Sequence, residues 1–269
     1  MTDLRSSDHR FHSPPVFETA LAIQFDELET FKAAHFGLFY EKVASRFPII
    51  EDQPRAEPIV ERFPLRPRHL QIGIKELRGP ERVFFRDRDD GTFLLQLQPD
   101  RFGLNWSRAT PEEKYPPFSQ NGPIFIEEFK QFARFCEDQK LGMPRPNLCE
   151  VVYVNHIFPN ADESVMECME TVLAGVSLTQ CNDLQPPELA SFNRVFPIPD
   201  QKGRWYAEAG LGRHAKEGDF VVLKITARVL HQDGEDVARN IQMAHDFVVN
   251  GFVAVTKIEA RLSRWGQNQ

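Results

Sequence analysis

The sequence predicts an α+β protein in which duplicated β-α-β-β-β-α halves form one curved antiparallel sheet, with the helices on one face in a saddle-like or helix-grip-like plan. Three observations carry this. Residues 82–106, RVFFRDRDDGTFLLQLQPDRFGLNW, read as a strand, a turn at Asp89-Asp90-Gly91 and a longer strand. Asp-Gly between alternating runs supplies the positive φ that a tight hairpin needs. Phe125, Phe129, Phe132 and Phe135 recur at helical spacing, giving the apolar stripe with which a helix packs onto a sheet. Finally, element order repeats: with Glu150 over Glu18, an offset of 132, Tyr153 falls on Leu21 and Ile157 on Phe25.

In chain order, residues 1–13 are polar and read as a flexible tail, and Pro14-Pro15 opens the first half, 14–143. In VFETALAIQF a period of two puts Phe17, Leu21, Ile23 and Phe25 on one face and Glu18, Ala20, Ala22 and Gln24 on the other. Apolar residues from Leu28 to Val43 then follow helical spacing until Pro48. Residues 48–69 hold five prolines and read as a connector within the domain, because Ile49, Ile50, Ile59, Val60 and Phe63 keep recurring. Strands are expected over 69–77, 82–88 and 92–106, the last bending near Pro99 to Gly103 as an edge or bulge. A loop, ATPEEKYPPFSQNGP, precedes the Phe-rich helix, which Gly142 closes.

The second half, 144–269, repeats the plan with a strand over 147–158, a short helix over 164–174 and strands over 192–198, 204–211 and 220–231. One long helix over 235–265 completes it. With no linker of contrasting composition, the halves are expected to form one integrated domain.

Composition restricts function. A net charge of −7 and a pI near 5.7 argue against a general phosphate-binding surface and so against nucleic acid. The 23 phenylalanines, against four tyrosines and three tryptophans, are read as core. Cys136, Cys149, Cys168 and Cys181 show no CxxC or CxxH spacing, so no metal or cofactor is expected. No apolar run of membrane-spanning or signal-peptide length occurs, which makes the cytoplasm the expected compartment.

Four segments together, SPPVFETALAIQF, FFRDRDDGTFLLQLQPDRFGLNW, YPPF with its Phe-rich helix, and EVVYVNHI, resemble a sporadically distributed family of uncharacterised bacterial proteins of about this length. The resemblance covers most of the chain and implies one shared architecture. It assigns no activity and no catalytic residue.

Helices on one face leave the other open. Strand parity assigns to that open face Glu18, Gln96, Asn105, Glu150, His156, Tyr206, Glu208, Lys224 and Arg228, with Arg86 or its neighbours beside them. Glu18 and Glu150 form the most suggestive pair. Paired carboxylates can act as acid and base, whereas the plainer reading has each answering an arginine such as Arg82, Arg86 or Arg228 across strands. His156 and His245 interrupt apolar stretches, as proton carriers or ligand contacts would, although a hydrogen-bonded histidine at a core edge is the plainer reading. Asp87, Asp89 and Asp90 read as a charged hairpin tip, and Gly210, Gly212 and Gly218 as a loose turn, because no helix follows to make a phosphate loop.

Three function classes follow in order. The first is a non-catalytic binding or accessory protein whose open polar face meets a protein or peptide partner, encoded nearby or a second copy of the chain. The second is a small-ligand binder with a Phe-lined cavity between sheet and long helix. The third is an enzyme of unknown reaction.

Overall fold

The computed structural model describes residues 11–65, 81–87, 92–110, 113–177 and 187–267. Among the described residues nine strands form a single sheet: β1 (Val16–Phe25), β2 (Ile49–Gln53), β3 (Arg82–Arg86), β4 (Phe93–Gln98), β5 (Arg101–Ser107), β6 (Pro146–Ile157), β7 (Phe192–Ile198), β8 (Gly203–His214) and β9 (Gly218–Leu230). Their spatial order is β2-β3-β4-β5-β1-β6-β9-β8-β7, and every described pairing is antiparallel. β1 and β6 meet at the centre, Leu21 opposite Val151. Outward from that seam each half runs through a three-stranded meander in the same order, β5-β4-β3 on one side and β9-β8-β7 on the other.

Among the described residues five α-helices cover one face: α1 (Ala33–Val43), α2 (Phe118–Asp138), α3 (Val165–Val172), α4 (Val237–Val255) and α5 (Ile258–Trp265). Leu21, Ile23, Val83, Phe85, Leu95, Leu97, Val151, Leu223 and Ile225 project from the strands into this layer and are buried. Phe132 of α2 sits at its centre, with ring centroids 5.7 Å from Phe25, 5.5 Å from Phe39 and 5.3 Å from Phe102. Further phenylalanines pack in this layer, Phe129 on Phe102 and Phe252 on Phe11 and Trp265. The thiols of Cys136, Cys149 and Cys168 are buried there too, and desolvation pushes them up to about 12, 12 and 11. Cys181 lies outside the described residues, as does the strand expected over 69–77.

Several expectations are corrected. Residues 92–106 do not form one bent strand: Pro99-Asp100 closes a hairpin between β4 and β5, with Gln98 opposite Arg101. Proline suits the first central position of such a turn, and the turn is held from outside, Phe25 N–H donating to the Asp100 carbonyl and Leu28 N–H to that of Pro99, both at 3.0 Å. The proline-rich connector contains an edge strand, β2, paired with β3. α2 begins at Phe118, inside the expected loop, and holds Pro123 within it. The single helix expected over 235–265 breaks at Thr256. There Ala174 N–H donates to the Val255 carbonyl and Lys257 N–H to that of Val172, so the chain after α3 replaces the next helical turn. Arg261, nearly buried, caps the exposed end of α4 through the carbonyls of Val253 and Thr256. The tail is not loose throughout: Ser13 N–H donates to the Trp265 carbonyl at 3.2 Å, and Phe11 bridges to Gln267. Residues 1–10 lie outside the described set.

Candidate functional site: the polar face of the sheet

Opposite the helices, residues two apart along each strand line up in rows that run across the sheet. One row passes through Gln98, Arg101, Gln24 and Leu148, and the next through Phe84, Gln96, Gly103, Ala22, Glu150, Arg228 and Arg204. The third carries Arg86, Leu94, Asn105, Ala20, Val152, Thr226 and Tyr206. All nine of the site residues assigned from sequence, Glu18, Arg86, Gln96, Asn105, Glu150, His156, Tyr206, Glu208 and Arg228, share this face, because a period of two needs no tertiary information.

The face is not wholly open. Residues 54–65 cross the first row as a strap, tied down by two buried glutamines. Gln98 accepts from Ala56 N–H (3.3 Å) and donates to its carbonyl (3.1 Å), while Gln24 accepts from Ile59 N–H (2.7 Å) and donates to its carbonyl (3.0 Å). Each side-chain amide thus imitates a neighbouring strand, satisfying one donor and one acceptor of an extended backbone. Arg55, bonded to Asp100 at 2.8 Å and to Glu27 at 2.9 Å, anchors one end. Truncating Gln24 and Gln98 to Ala leaves four backbone groups of the strap unpaired, at about 1–3 kcal/mol for each buried group. Amide exchange by mass spectrometry should show residues 54–65 opening at least tenfold faster, by roughly 1.4 kcal/mol or more, while the β1–β6 seam stays protected. Unchanged exchange in the strap would refute this anchoring.

The other end of the strap buries Glu61. Its carboxylate accepts from Arg204 Nη1 (2.5 Å), Tyr206 Oη (2.5 Å) and Arg228 Nη1 (3.3 Å). Arg204 also donates to the Arg62 carbonyl at 2.7 Å and lies over the Phe63 ring. Burial raises the Glu61 carboxyl, but these donors outweigh it and hold the group below its ordinary value of 4.5. Arg228 continues the network to Glu150, Nε to Oε2 at 2.6 Å.

Beyond the strap, a polar ladder crosses four strands. Arg82 donates to Gln96, Gln96 to Asn105, and Asn105 Nδ2 to Glu18 Oε1 at 2.8 Å. All four side chains are half-buried. Between this ladder and the Glu150–Arg228 pair the floor consists of Gly103, Ala20 and Ala22, so the centre of the face is a shallow trough. A Cβ on Gly103 would meet the Leu21 carbonyl oxygen at 3.2 Å, so a side chain there would both strain and fill it.

The plainer reading of the carboxylates holds for Glu150, which answers Arg228, while Glu18 answers Asn105 rather than an arginine. Glu150 faces Ala22 across the seam, four residues along β1 from Glu18, a separation of roughly 13 Å at strand rise. That exceeds the spacing over which two carboxyls share acid–base work on one bond, about 5–9.5 Å in glycosidases. Arg86 pairs with Glu51 at 2.7 Å towards the β2 edge, and Glu208 with Lys224 at 3.6 Å on the exposed surface.

A bulge in β1 between Val16 and Glu18 overturns the inward placement of Phe17. Its ring stacks on His156 at 3.8 Å, and Phe220 tilts against the same imidazole at 4.4 Å. Desolvation, with help from His214 and Arg108, lowers His156 to about 4, so at neutral pH it is an uncharged ring in an aromatic stack and not a proton carrier. His245 lies on α4, stacked on Phe118. Gly210 and Gly212 belong to β8 and not to a loose turn, and Phe220 covers Gly212. Asp87 accepts from Thr92, while Asp89 and Asp90 lie outside the described residues. Among the described residues no group of three or more His, Cys, Asp or Glu side chains is placed to hold a metal, and no helix is long and apolar enough to cross a membrane.

Sequence reasoning missed Glu61, Arg101 and Arg204 as parts of this face, and it put Gln24 and Gln98 there by parity without counting them among the site residues. Parity alone could have added Arg204, two residues from Tyr206, and Arg101, four from Asn105. The face also differs from grooves that the described residues form on the helical side. One, of about 440 Å³, lies between α2 and α4 and is lined by Phe118, Pro123, Ile126 and Ile241. Another, of about 570 Å³, lies beside α4 at Pro199 and Phe247. Searches against protein-family models, curated proteins and solved structures return no match for this chain.

Proposed function

We propose that the chain is a non-catalytic binding or accessory protein whose polar sheet face recognises an extended peptide segment of a protein partner. The observation that carries this is the strap. Gln24 and Gln98 hold an extended segment through its backbone donors and acceptors, a mode that leaves side chains free to specify. Gln96 and Asn105 present the same amide chemistry in the trough beyond the strap, already oriented by Arg82 and Glu18. Preorganised polar groups of this kind give direction and selectivity at limited entropic cost. In the same reading the halves descend from one duplicated β-α-β-β-β-α unit, for which the matching strand order on either side of the seam is the support. In the same reading the protein is bacterial and works in the cytoplasm.

Selection of displayed random peptides on the immobilised full chain tests the reading. Wild-type protein should enrich extended sequences, and Gln96→Ala with Asn105→Ala should weaken their capture at least tenfold. These half-buried changes cost about 1 kcal/mol each, so the melting temperature should fall by only a few degrees. Enrichment of peptides indifferent to the double change would contradict the assignment.

A further inference from the structure

The arginines of the polar face divide into two groups. Arg204 and Arg228 share Glu61, Arg55 is held by Glu27 and Asp100, and Arg86 by Glu51. Among the described residues Arg82 and Arg101 form no ion pair. Arg82 donates to the Gln96 amide oxygen, and Arg101 to that of Gln24 at 3.2 Å. Both are half-buried, and a guanidinium withdrawn from water with only a neutral acceptor is poorly compensated.

Their placement brings the two charges towards one spot. Gln98 faces Arg101 on β5, and Arg82 lies one residue beyond the Val83–Leu97 pair of β3 and β4. The two arginines therefore flank Gln98 in one row, about 10 Å apart at the backbone. The strap sits on that row at Ala56 and Ile59, and Arg82 extends into the next row, reaching Gln96 and the Phe84 ring. Arg101 feels the charges of Glu150 and Asp100, which raise it, and of Arg228, which lowers it, Glu150 and Arg228 standing in the next row. Burial lowers both guanidiniums from their ordinary value, outweighing the pull of Glu150 and Asp100 on Arg101, and for Arg82 the charge of Arg101 adds to it. Gln98 lies between their backbones, while Gly103 and Ala22, one row on, leave the floor open where Arg82 reaches Gln96.

We propose that Arg82 and Arg101 form a carboxylate-binding subsite in the trough, taking an acidic side chain or the C-terminal carboxylate of the extended peptide. The proposal rests on the peptide reading above. A planar carboxylate matches the guanidinium fork and relieves the repulsion between the two cations. A polyphosphate is disfavoured by the net charge of −7 on the chain as a whole.

Nitrogen-15 spectra of the arginine Nε–Hε groups, titrated with sodium acetate and separately with inorganic phosphate at matched ionic strength, test the subsite. The Arg82 and Arg101 signals, assigned by their loss in Arg82→Lys and Arg101→Lys, should shift saturably with acetate while that of exposed Arg134 should not. Arg82→Gln should weaken acetate binding read at Arg101 on the order of tenfold. No saturable shift, or tighter binding of phosphate, would overturn the proposal. Peptides captured by display separate the sources: capture lost on Asp→Asn or Glu→Gln replacement points to a side chain, and capture lost on C-terminal amidation to the terminus. Capture indifferent to both and to Arg82→Gln removes the subsite and leaves the peptide reading standing. Acetate binding without any captured peptide does the reverse.

Discussion

Glu61→Gln is expected to lower stability by about 3–5 kcal/mol, because it leaves the Arg204 guanidinium buried without its counter-charge. The Arg204 and Glu61 side chains are only 4% and 3% exposed, so water cannot replace the lost carboxylate. For a chain of this size the melting temperature should fall by on the order of 10 °C. Were residues 48–69 only a connector, the change would cost less than about 0.5 kcal/mol. The pH dependence has a definite sign. A carboxyl held below 4.5 in the folded state contributes stability that is present above 4.5 and is lost as pH falls through its folded value. Urea midpoints followed from neutral pH downward should therefore show an acid loss in the wild type that is smaller in Glu61→Gln. Equal acid losses would place the charge network elsewhere. Arg228 belongs to this network and is only 19% exposed, so Arg228→Ala disturbs folding and is a poor probe of binding.

Phe132→Ala should cost about 3–5 kcal/mol, as removal of a fully buried aromatic ring does when its neighbours cannot collapse inward. The ring is 0% exposed and touches phenylalanines from β1, α1, β5 and α2 itself, which are fixed by four separate elements. Denaturant unfolding should show a lower midpoint with an unchanged slope. A loss under about 1 kcal/mol would mean that this layer is loosely packed and has room for a ligand.

The sheet face was legible because strand parity is local: Gln96, Asn105, Glu150 and Tyr206 fall on one side wherever their strands end up. The strap was not, since Glu61 finds Arg204, Tyr206 and Arg228 from 143 to 167 positions downstream. No pattern within residues 48–69 encodes partners so distant. The hairpin at Pro99-Asp100 and a bend there look alike in sequence, and the choice is made by Phe25 and Leu28, whose N–H groups lock the turn. Phe17 was misplaced for a similar reason. One inserted residue in β1 shifts it to the polar face, and alternation cannot reveal a bulge. The break at Thr256 likewise comes from the chain following α3, not from a helix breaker in the sequence.

The most direct test of the polar face as a peptide site is a nitrogen-15 spectrum of the side-chain amides, recorded as a display-selected peptide is added. The NH₂ signals of Gln96 and Asn105 should shift together and saturate at one equivalent, with those of Gln131 and Gln242 on the helices unchanged. Shifts confined to Gln242 and its neighbours in the groove between α2 and α4, with Gln96 and Asn105 silent, would contradict it.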